Sequence, residues 1–251
     1  MMPNSCISAL LVCVSLCDCG SGVFAEDATP RPRVYQHGVV AADHTAASQA
    51  GARIFREGGN VVDASVATSF ALSVARPASC GIGGGGFMLI WDAKAQKSVA
   101  LDYRERAPAD TAASDYGAAA DAGHEEPVSV RGGLAVGVPG TVSGLCYAAE
   151  KYGTLPIGQL LQPAIELCRD GVEIDQHDID VQASTLETIR THDCYASRFA
   201  ALVKLYLNDG VKWEIGDRFH SPQLAVLERI AAHGVAGFYE GDVARAIIHA
   251  V

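Results

Sequence analysis

The sequence predicts an α+β domain, because two helical segments precede a β-hairpin and mostly helical segments follow it. No strand–helix–strand alternation is present, so a parallel α/β sheet is not expected. The 251 residues are 49% hydrophobic, which is enough to bury a sizeable core. We therefore expect one large domain after a short N-terminal leader.

The N-terminus is typical of a signal peptide covering residues 1–25. Ile7–Leu16 is apolar but too short to span a bilayer, and Val23-Phe24-Ala25 is a small-residue cleavage site before Glu26. The segment has no Lys or Arg, so a misassigned start or a buried first strand are the alternatives. We expect export to the periplasm or the extracellular space, with residues 26–33 as a linker before the domain at 34–251.

The predicted elements follow from apolar periodicity and from Gly and Pro stop signals. The last helix is apolar and has no stop signal, which leads us to expect a truncated chain. In chain order we expect a strand at Val34–Ala42, helices at Ala46–Arg56 and Asp63–Val74, hairpin strands at Phe87–Trp91 and Ser98–Tyr103, a surface loop at Ala109–Pro127, helices at Thr141–Lys151 (with Thr141 as its cap), Ile157–Arg169 and Gln176–Arg190, a turn at Asn208–Gly210, and helices at Pro222–His233 and Asp242–Val251.

Charge and cysteine spacing exclude several function classes. The formal net charge is −10 and no basic cluster is present, so we expect no nucleic-acid partner. No metal-ligand spacing occurs, and we expect neither a metal nor a cofactor. Four cysteines follow the leader, far apart and without a Cys-x-x-Cys pair. We expect mostly free, buried thiols, although spacing leaves any disulfide pairing open: Cys80, Cys146, Cys168 and Cys194.

The glycine run Gly81–Gly86 formally matches the dinucleotide pattern G-x-G-x-x-G. That pattern requires a strand before it and a helix after it, whereas a helix and Pro77 precede this run and a strand follows. Nucleotide binding is therefore not expected. Glycines accept positive φ and allow close backbone approach, so the run is either a tight helix-to-strand connection or a bare backbone that meets a partner segment or lines a site. Both interpretations can hold together.

Arg104 follows the hairpin within Asp102-Tyr103-Arg104-Glu105-Arg106. Charges at a strand end usually form a solvated face. The functional alternative is that Arg104 binds a substrate carboxylate, because its planar fork donates two parallel hydrogen bonds. Arg106 is the other candidate, and we expect its side chain on the opposite face.

Several motifs resemble those of the gamma-glutamyltransferase family, also called glutathione hydrolases. The resemblance runs from about Val34 to the end of the chain, and together the motifs are far more specific than the glycine run alone. They are Gly58-Gly59-Asn60-Val61-Val62-Asp63-Ala64, similar to GGN-x-VDA; Gly81–Met88, matching GIGGGGFM; Asp102–Pro108, similar to D-[FY]-RE-x-AP; and Gly137–Leu145, similar to GVPG-x-x-x-GL.

The resemblance implies the N-terminal-nucleophile hydrolase fold, a four-layer αββα sandwich, of which only the N-terminal part is present here. It also implies a proenzyme that cuts itself into a large and a small subunit. The new N-terminal threonine of the small subunit attacks the γ-glutamyl amide of glutathione or a related compound, and its own α-amine serves as base. Arg104 would bind the α-carboxylate. No catalytic residue is expected in this chain, so no threonine here is assigned as the nucleophile: Thr141, Thr185, Thr188 or Thr191.

Two segments depart from the family's pattern and leave substrate preference open. His44-Thr45-Ala46-Ala47-Ser48 differs from HPLAS, and Arg76-Pro77-Ala78-Ser79-Cys80 differs from EP-x-SS. His44 is a candidate base, but a packed or surface histidine is the expectation. Two alternative functions remain: an inactive truncated fragment or partner-binding subunit, and a cephalosporin-type acylase of the same fold.

Overall fold

Helices dominate the part of the chain that the computed structural model describes, residues 34–121, 128–192 and 194–251. The predicted signal peptide and linker, residues 1–33, lie outside it. No helix in these ranges is long and apolar enough to cross a membrane. The elements of the unit His37–Val251 are α1 (Thr45–Arg56), α2 (Val61–Ala75), β1 (Phe87–Asp92), β2 (Lys97–Asp102), α3 (Ala113–Asp121), α4 (Thr141–Tyr152), α5 (Ile157–Leu160), α6 (Gln162–Asp170), β3 (Val172–Glu173), α7 (Gln176–Arg190), α8 (Tyr195–Arg198), α9 (Ala200–Tyr206), β4 (Arg218–Phe219), α10 (Leu224–His233), α11 (Ala236–Tyr239) and α12 (Gly241–Ala250), with short 3-10 turns at Gly133–Ala135 and Asn208–Gly210.

Helix α2 lies at the centre of the unit and is buried on most of its circumference. Its residues are almost all small or apolar, so α1, α4 and α6 can all pack against it. Val66, Phe70 and Val74 have no exposed surface. The Asn60 side chain accepts hydrogen bonds from two backbone N–H groups of the first turn, at 2.8 and 3.0 Å, and so caps the helix. The first two predicted helices are confirmed to within two residues at each end.

Asp63 connects α2 to the turn that follows α4. Its carboxylate is fully buried and accepts from the backbone N–H groups of Asn60 (2.8 Å), Thr154 (3.0 Å) and Leu155 (3.3 Å), and from the Thr154 hydroxyl (2.6 Å). A buried carboxylate is stable only when its oxygens are hydrogen-bonded, and these four donors meet that requirement. The Val-Asp-Ala motif therefore has a structural role at this position.

The predicted hairpin is confirmed. β1 pairs antiparallel with β2 over six residues, with Phe87 opposite Asp102. Asp92 closes the turn, because its side chain accepts from the backbone N–H groups of Lys94 and Ala95, both at 2.9 Å. The hairpin therefore delivers residue 102 and those after it to the same end as the glycine run.

The strand predicted at Val34–Ala42 is wrong. No strand is found between residue 34 and α1, and Val39 is 57% exposed. An apolar segment forms a strand only when a neighbour supplies ladder hydrogen bonds, and no described residue pairs with this segment. Instead, the Ala42 N–H donates to the Ser48 hydroxyl at 3.0 Å, at the entry to α1.

The loop predicted at Ala109–Pro127 is partly wrong. Helix α3 occupies Ala113–Asp121, and residues 122–127 lie outside the described part of the chain. Asp115 explains the start of the helix, because its carboxylate accepts from the Ala112 N–H at 2.8 Å. The alanine content that obscured the periodicity also favours helix.

One predicted helix is interrupted and another lacks its predicted cap. The segment Ile157–Arg169 is not one helix but two, α5 and α6, separated at Leu161. Pro163 requires the break, since proline has no N–H and fits only in the first turn of α6. Thr141 is not a cap: Gly140 occupies the N-cap position of α4, and no side chain caps it.

The second half of the chain contains small elements that the sequence pattern does not reveal. β3 and β4 pair over two residues each, too short for a period-2 signal, and α8, α9 and α11 are also short. Gln176–Arg190 is confirmed, while the helix predicted from Pro222 begins at Leu224. The terminal helix α12 is confirmed, but none of its residues is buried.

Candidate substrate-binding site

The glycine run connects α2 to β1, so the predicted order of helix before strand is confirmed and the nucleotide interpretation remains excluded. None of its glycines has a positive φ, so that part of the explanation is wrong. Close approach is the reason for at least one of them. A Cβ on Gly85 would lie 2.5 Å from the Tyr103 carbonyl oxygen and 2.8 Å from the Arg104 Cα. The partner-segment interpretation is thereby confirmed, and the partner is the segment that carries Arg104.

A second glycine segment, Gly137–Gly140, packs on the same segment. A Cβ on Gly140 would lie 1.9 Å from the Tyr103 carbonyl oxygen. The backbone N–H groups of Gly140 and Thr141 both donate to the Gly84 carbonyl, at 2.8 and 3.0 Å. Backbone hydrogen bonds of 3.3 and 2.7 Å also join Arg106 and Val138. The two glycine segments therefore bind each other and hold the Tyr103–Arg106 backbone.

Tyr103 fills the space that the glycines leave open. Its N–H donates to the Gly86 carbonyl at 3.0 Å, and the Gly86 N–H donates back at 3.3 Å. A Cβ on Gly144 would lie 2.2 Å from the Tyr103 ring, so α4 approaches the ring closely only because this residue is glycine. Burial raises the pKa of the Tyr103 phenol. The ring anchors the residue directly before Arg104.

The Arg104 side chain reaches solvent from this rigid backbone and is 59% exposed. Its Nε donates to a Glu105 carboxylate oxygen at 2.9 Å, and its backbone N–H donates to Asp102 at 3.0 Å. The guanidinium carbon lies 6.0 Å from the centroid of the Phe87 ring. The Glu105 carboxyl has a lowered pKa because of a backbone hydrogen bond from its own N–H and because of the nearby Arg104 charge.

Arg106 does not lie on the opposite face, and that expectation is wrong. Residues two apart on an extended chain share a face. Arg104 and Arg106 are both exposed, whereas Tyr103 before them and Glu105 between them are half-buried. The surrounding backbone differs for the two arginines: Gly85 and Gly140 approach the Tyr103–Arg104 backbone, whereas Arg106 pairs with Val138 through two backbone hydrogen bonds beside Gly137.

His44 is the N-cap of α1, and its Nδ1 accepts from the Ala46 N–H at 3.1 Å. Burial and the nearby Arg76 charge lower its pKa. This agrees with the packed histidine expected from the sequence. Histidine is not among the residues preferred at N-caps, so this cap has no recognisable sequence signal.

Arg76, one of the departures from the family's pattern, is the centre of an ion-pair cluster. It is 5% exposed, its guanidinium bonds to Asp175 and, at 2.7 Å, to Asp178, and its Nε lies 3.6 Å from Asp43. Hydrogen bonding from Arg76 is the main reason that the pKa of Asp175 is lowered to about 2. The cluster joins the end of α2 to the start of α7, where Asp175 and Asp178 form the capping box.

An apolar cavity of about 1090 Å³ lies beside this cluster, bounded by the first half of the glycine run and by α7, α9 and α12. Arg104 is not part of its lining. The cavity and the exposed arginine are therefore separate features.

Three of the four threonines excluded as nucleophiles bond within the α7 segment: Thr185, Thr188 and Thr191 hydroxyls donate to carbonyls four residues earlier, at 2.8, 3.0 and 3.1 Å. Thr141 is the first residue of α4. The four cysteines Cys80, Cys146, Cys168 and Cys194 are free, but only Cys146 and Cys168 are buried, so the expectation of buried thiols holds for two of them.

Comparison with known proteins places these motifs in one family. The family model for gamma-glutamyltranspeptidases matches residues 47–251. A glutathione hydrolase proenzyme of Pseudomonas sp. (strain A14) is 38% identical over 98% of this chain and 41% of its own length. One from Bacillus subtilis (strain 168) is 36% identical over 97% and 42%. The chain thus spans about two fifths of the length of these two curated relatives.

Solved structures give the same result for the fold. Helicobacter pylori gamma-glutamyltranspeptidase is 34% identical, with a TM-score of 0.73, over 86% of this chain and 60% of that one. A cephalosporin acylase from Bacillus halodurans is 27% identical, with a TM-score of 0.74, over 90% and 42%. These likenesses confirm the predicted α+β fold of the N-terminal-nucleophile hydrolases.

Proposed function

Because this chain belongs to the gamma-glutamyltranspeptidase family, we propose that it forms the N-terminal part of the large subunit of an enzyme that cleaves γ-glutamyl amides such as glutathione. The observation that carries this proposal is the backbone around Arg104. Two glycine segments and the Tyr103 ring fix the position from which the guanidinium reaches solvent. A rigidly placed, exposed guanidinium is suited to binding a carboxylate.

In the proposed reaction, an N-terminal threonine of the small subunit supplies the nucleophile. Its α-amine takes the hydroxyl proton while the oxygen attacks the γ-carbonyl carbon, and the amine of the departing half of glutathione leaves with a proton. The resulting γ-glutamyl ester is then cleaved by water or by the amino group of an acceptor. This chain's contribution is to bind the γ-glutamyl α-carboxylate through Arg104.

Glu105 sets the direction from which that carboxylate would bind. Its carboxylate accepts the hydrogen bond from the Arg104 Nε, and within the described ranges it is the only carboxylate paired with this arginine. The two terminal nitrogens therefore remain to donate in parallel to the substrate. The α-carboxylate is present in both the ground state and the transition state. Losing its contact with Arg104 should therefore mainly raise KM and leave kcat nearly unchanged.

The test is Arg104→Ala in the assembled enzyme, with γ-glutamyl-anilide hydrolysis as the assay. A charge-assisted hydrogen bond contributes about 1.5–3 kcal/mol, so we expect KM to rise by about 10- to 150-fold. Arg106→Ala is the matched control, since Arg106 is also exposed and lies two residues away, and it should change KM by less than about twofold. Unchanged kinetics for Arg104→Ala would contradict the assignment.

Two alternatives have their own tests. The 251-residue chain by itself should hydrolyse no γ-glutamyl anilide; turnover that disappears on mutating one of its own threonines would show that the nucleophile lies in this chain. The acylase alternative arises from the cephalosporin acylase likeness, which has a comparable TM-score at lower identity. Faster cleavage of a glutaryl amide than of glutathione would favour it.

Export is also part of the proposal, and it rests on the apolar segment Ile7–Leu16 and the site before Glu26. N-terminal sequencing of the mature protein tests it. A mature N-terminus at Glu26 in the periplasmic or extracellular fraction supports export, and retention of Met1 in the cytoplasm contradicts it.

A further inference from the structure

We infer that Tyr239 is a positioning residue for Arg104, an inference that rests on the proposed role of Arg104 in binding the substrate carboxylate. Tyr239 ends α11, about a hundred residues after the second glycine segment. It contacts neither Arg104 nor any group assigned to the reaction. Its hydroxyl acts on the turn that holds the Arg104 backbone.

The hydroxyl of Tyr239 bridges the two sides of that turn. It donates to the Pro139 carbonyl at 2.7 Å and accepts from the Ser143 N–H at 3.3 Å. Pro139 immediately precedes Gly140, and the Ser143 N–H belongs to the first turn of α4. These first-turn N–H groups have no partner within the helix, and no side chain caps α4, so Tyr239 satisfies one of them from outside.

The bridged turn is in contact with the Arg104 backbone. Gly140 donates to the Gly84 carbonyl at 2.8 Å and has no room for a Cβ against the Tyr103 carbonyl. The Ser143 hydroxyl donates to the Gly140 carbonyl at 2.9 Å, which adds a second bond inside the turn. A shift of the turn therefore moves either the glycine run or the Tyr103–Arg104 peptide, because no gap separates them.

The Tyr239 ring is held independently of the hydroxyl. It packs edge-to-face on Phe238, with ring centroids 5.0 Å apart, and it lies against the main core cluster. Phenylalanine at position 239 keeps this packing and removes only the bridge. The substitution therefore separates positioning from core stability.

The experiment is Tyr239→Phe in the assembled enzyme, alone and combined with Arg104→Ala, with KM and kcat measured on a γ-glutamyl anilide. Losing the bridge should raise KM by about two- to tenfold and leave kcat within about twofold. In the Arg104→Ala background the same substitution should change KM by less than about twofold, because the side chain being positioned is gone.

Tyr152→Phe is the matched control. Tyr152 is the last residue of α4, the helix whose first turn Tyr239 bonds to, and its hydroxyl has no hydrogen-bond partner among the described side chains or backbone groups. Its KM should equal that of the unmodified enzyme, and thermal unfolding of both variants measures any stability loss. If Tyr239→Phe does not assemble, Ser143→Ala removes the bond to Gly140 alone and should raise KM in the same direction.

Three outcomes overturn parts of this reasoning, and they can be told apart. An unchanged KM for Tyr239→Phe, or an equal KM rise with and without Arg104, refutes the positioning role while leaving the Arg104 assignment intact. An unchanged KM for Arg104→Ala alone refutes the proposed function itself.

Discussion

Gly140→Ala is the most direct test of the backbone arrangement around Arg104. The φ of Gly140 is −111°, a value that alanine adopts without strain, so the substitution acts only through space. The new Cβ would lie 1.9 Å from the Tyr103 carbonyl oxygen, whereas such contacts in proteins are essentially never below 3.0 Å. Either the turn or the Tyr103–Arg104 peptide must therefore move by about 1.1 Å, the difference between these two distances.

A displacement of about 1 Å at a binding group costs on the order of 100-fold in rate. We therefore expect kcat/KM for γ-glutamyl-anilide hydrolysis to fall by about that factor in the assembled enzyme. Gly83→Ala is the matched control, because a Cβ there meets nothing within 4 Å, and it should retain activity within about twofold. Thermal unfolding distinguishes a local shift from global destabilisation. Full activity of Gly140→Ala would refute the idea that close approach at this glycine places Arg104.

Three further predictions concern stability and thiol chemistry. Asp63→Ala leaves four donors without an acceptor, so at about 1 kcal/mol each it should lower the free energy of unfolding by about 4 kcal/mol in urea titrations. A loss below about 1 kcal/mol would contradict the structural role of this carboxylate. The pKa of Asp175 is lowered from 3.8 to about 2, mainly by Arg76, so its ion pair stabilises the fold above about pH 4 and loses that effect as pH falls toward 2. Asp175→Asn should therefore flatten the pH dependence of the free energy of unfolding between about pH 4 and 2. Burial raises the pKa of Cys146 to about 11, leaving about one thiolate in a thousand at pH 8, so iodoacetamide should label the exposed Cys194 first, as peptide mass spectrometry can show.

The sequence predicts the order of elements around the site but not the contacts between them. The helix before the glycine run and the strand after it carry local signals, and these were sufficient to exclude a phosphate-binding loop. That Gly140 and Gly144 close on Tyr103 is a tertiary contact with no local signal. The same contact explains the wrong N-cap: the position before Thr141 must be glycine to fit against Tyr103, and the helix starts there without a side-chain cap.

The ion pairs of Arg76 likewise could not be predicted from the sequence. Arg76 and Asp175 are 99 residues apart, so nothing in the surrounding sequence links them. The capping box at Asp175 and Asp178 has a local spacing, and the predicted boundaries of α7 agree with the observed ones. That a buried arginine would bond to both capping carboxylates could be learned only from the packed structure.

The Arg76 cluster also constrains how this chain can change over evolutionary time. Glutamate is the usual residue of the family's motif at this position, but here it would face Asp175, Asp178 and Asp43 with no cation among them. Changing Arg76 alone to glutamate is therefore unfavourable. We therefore expect substitutions at positions 76, 175 and 178 to be non-additive, because the three side chains share one set of ion pairs.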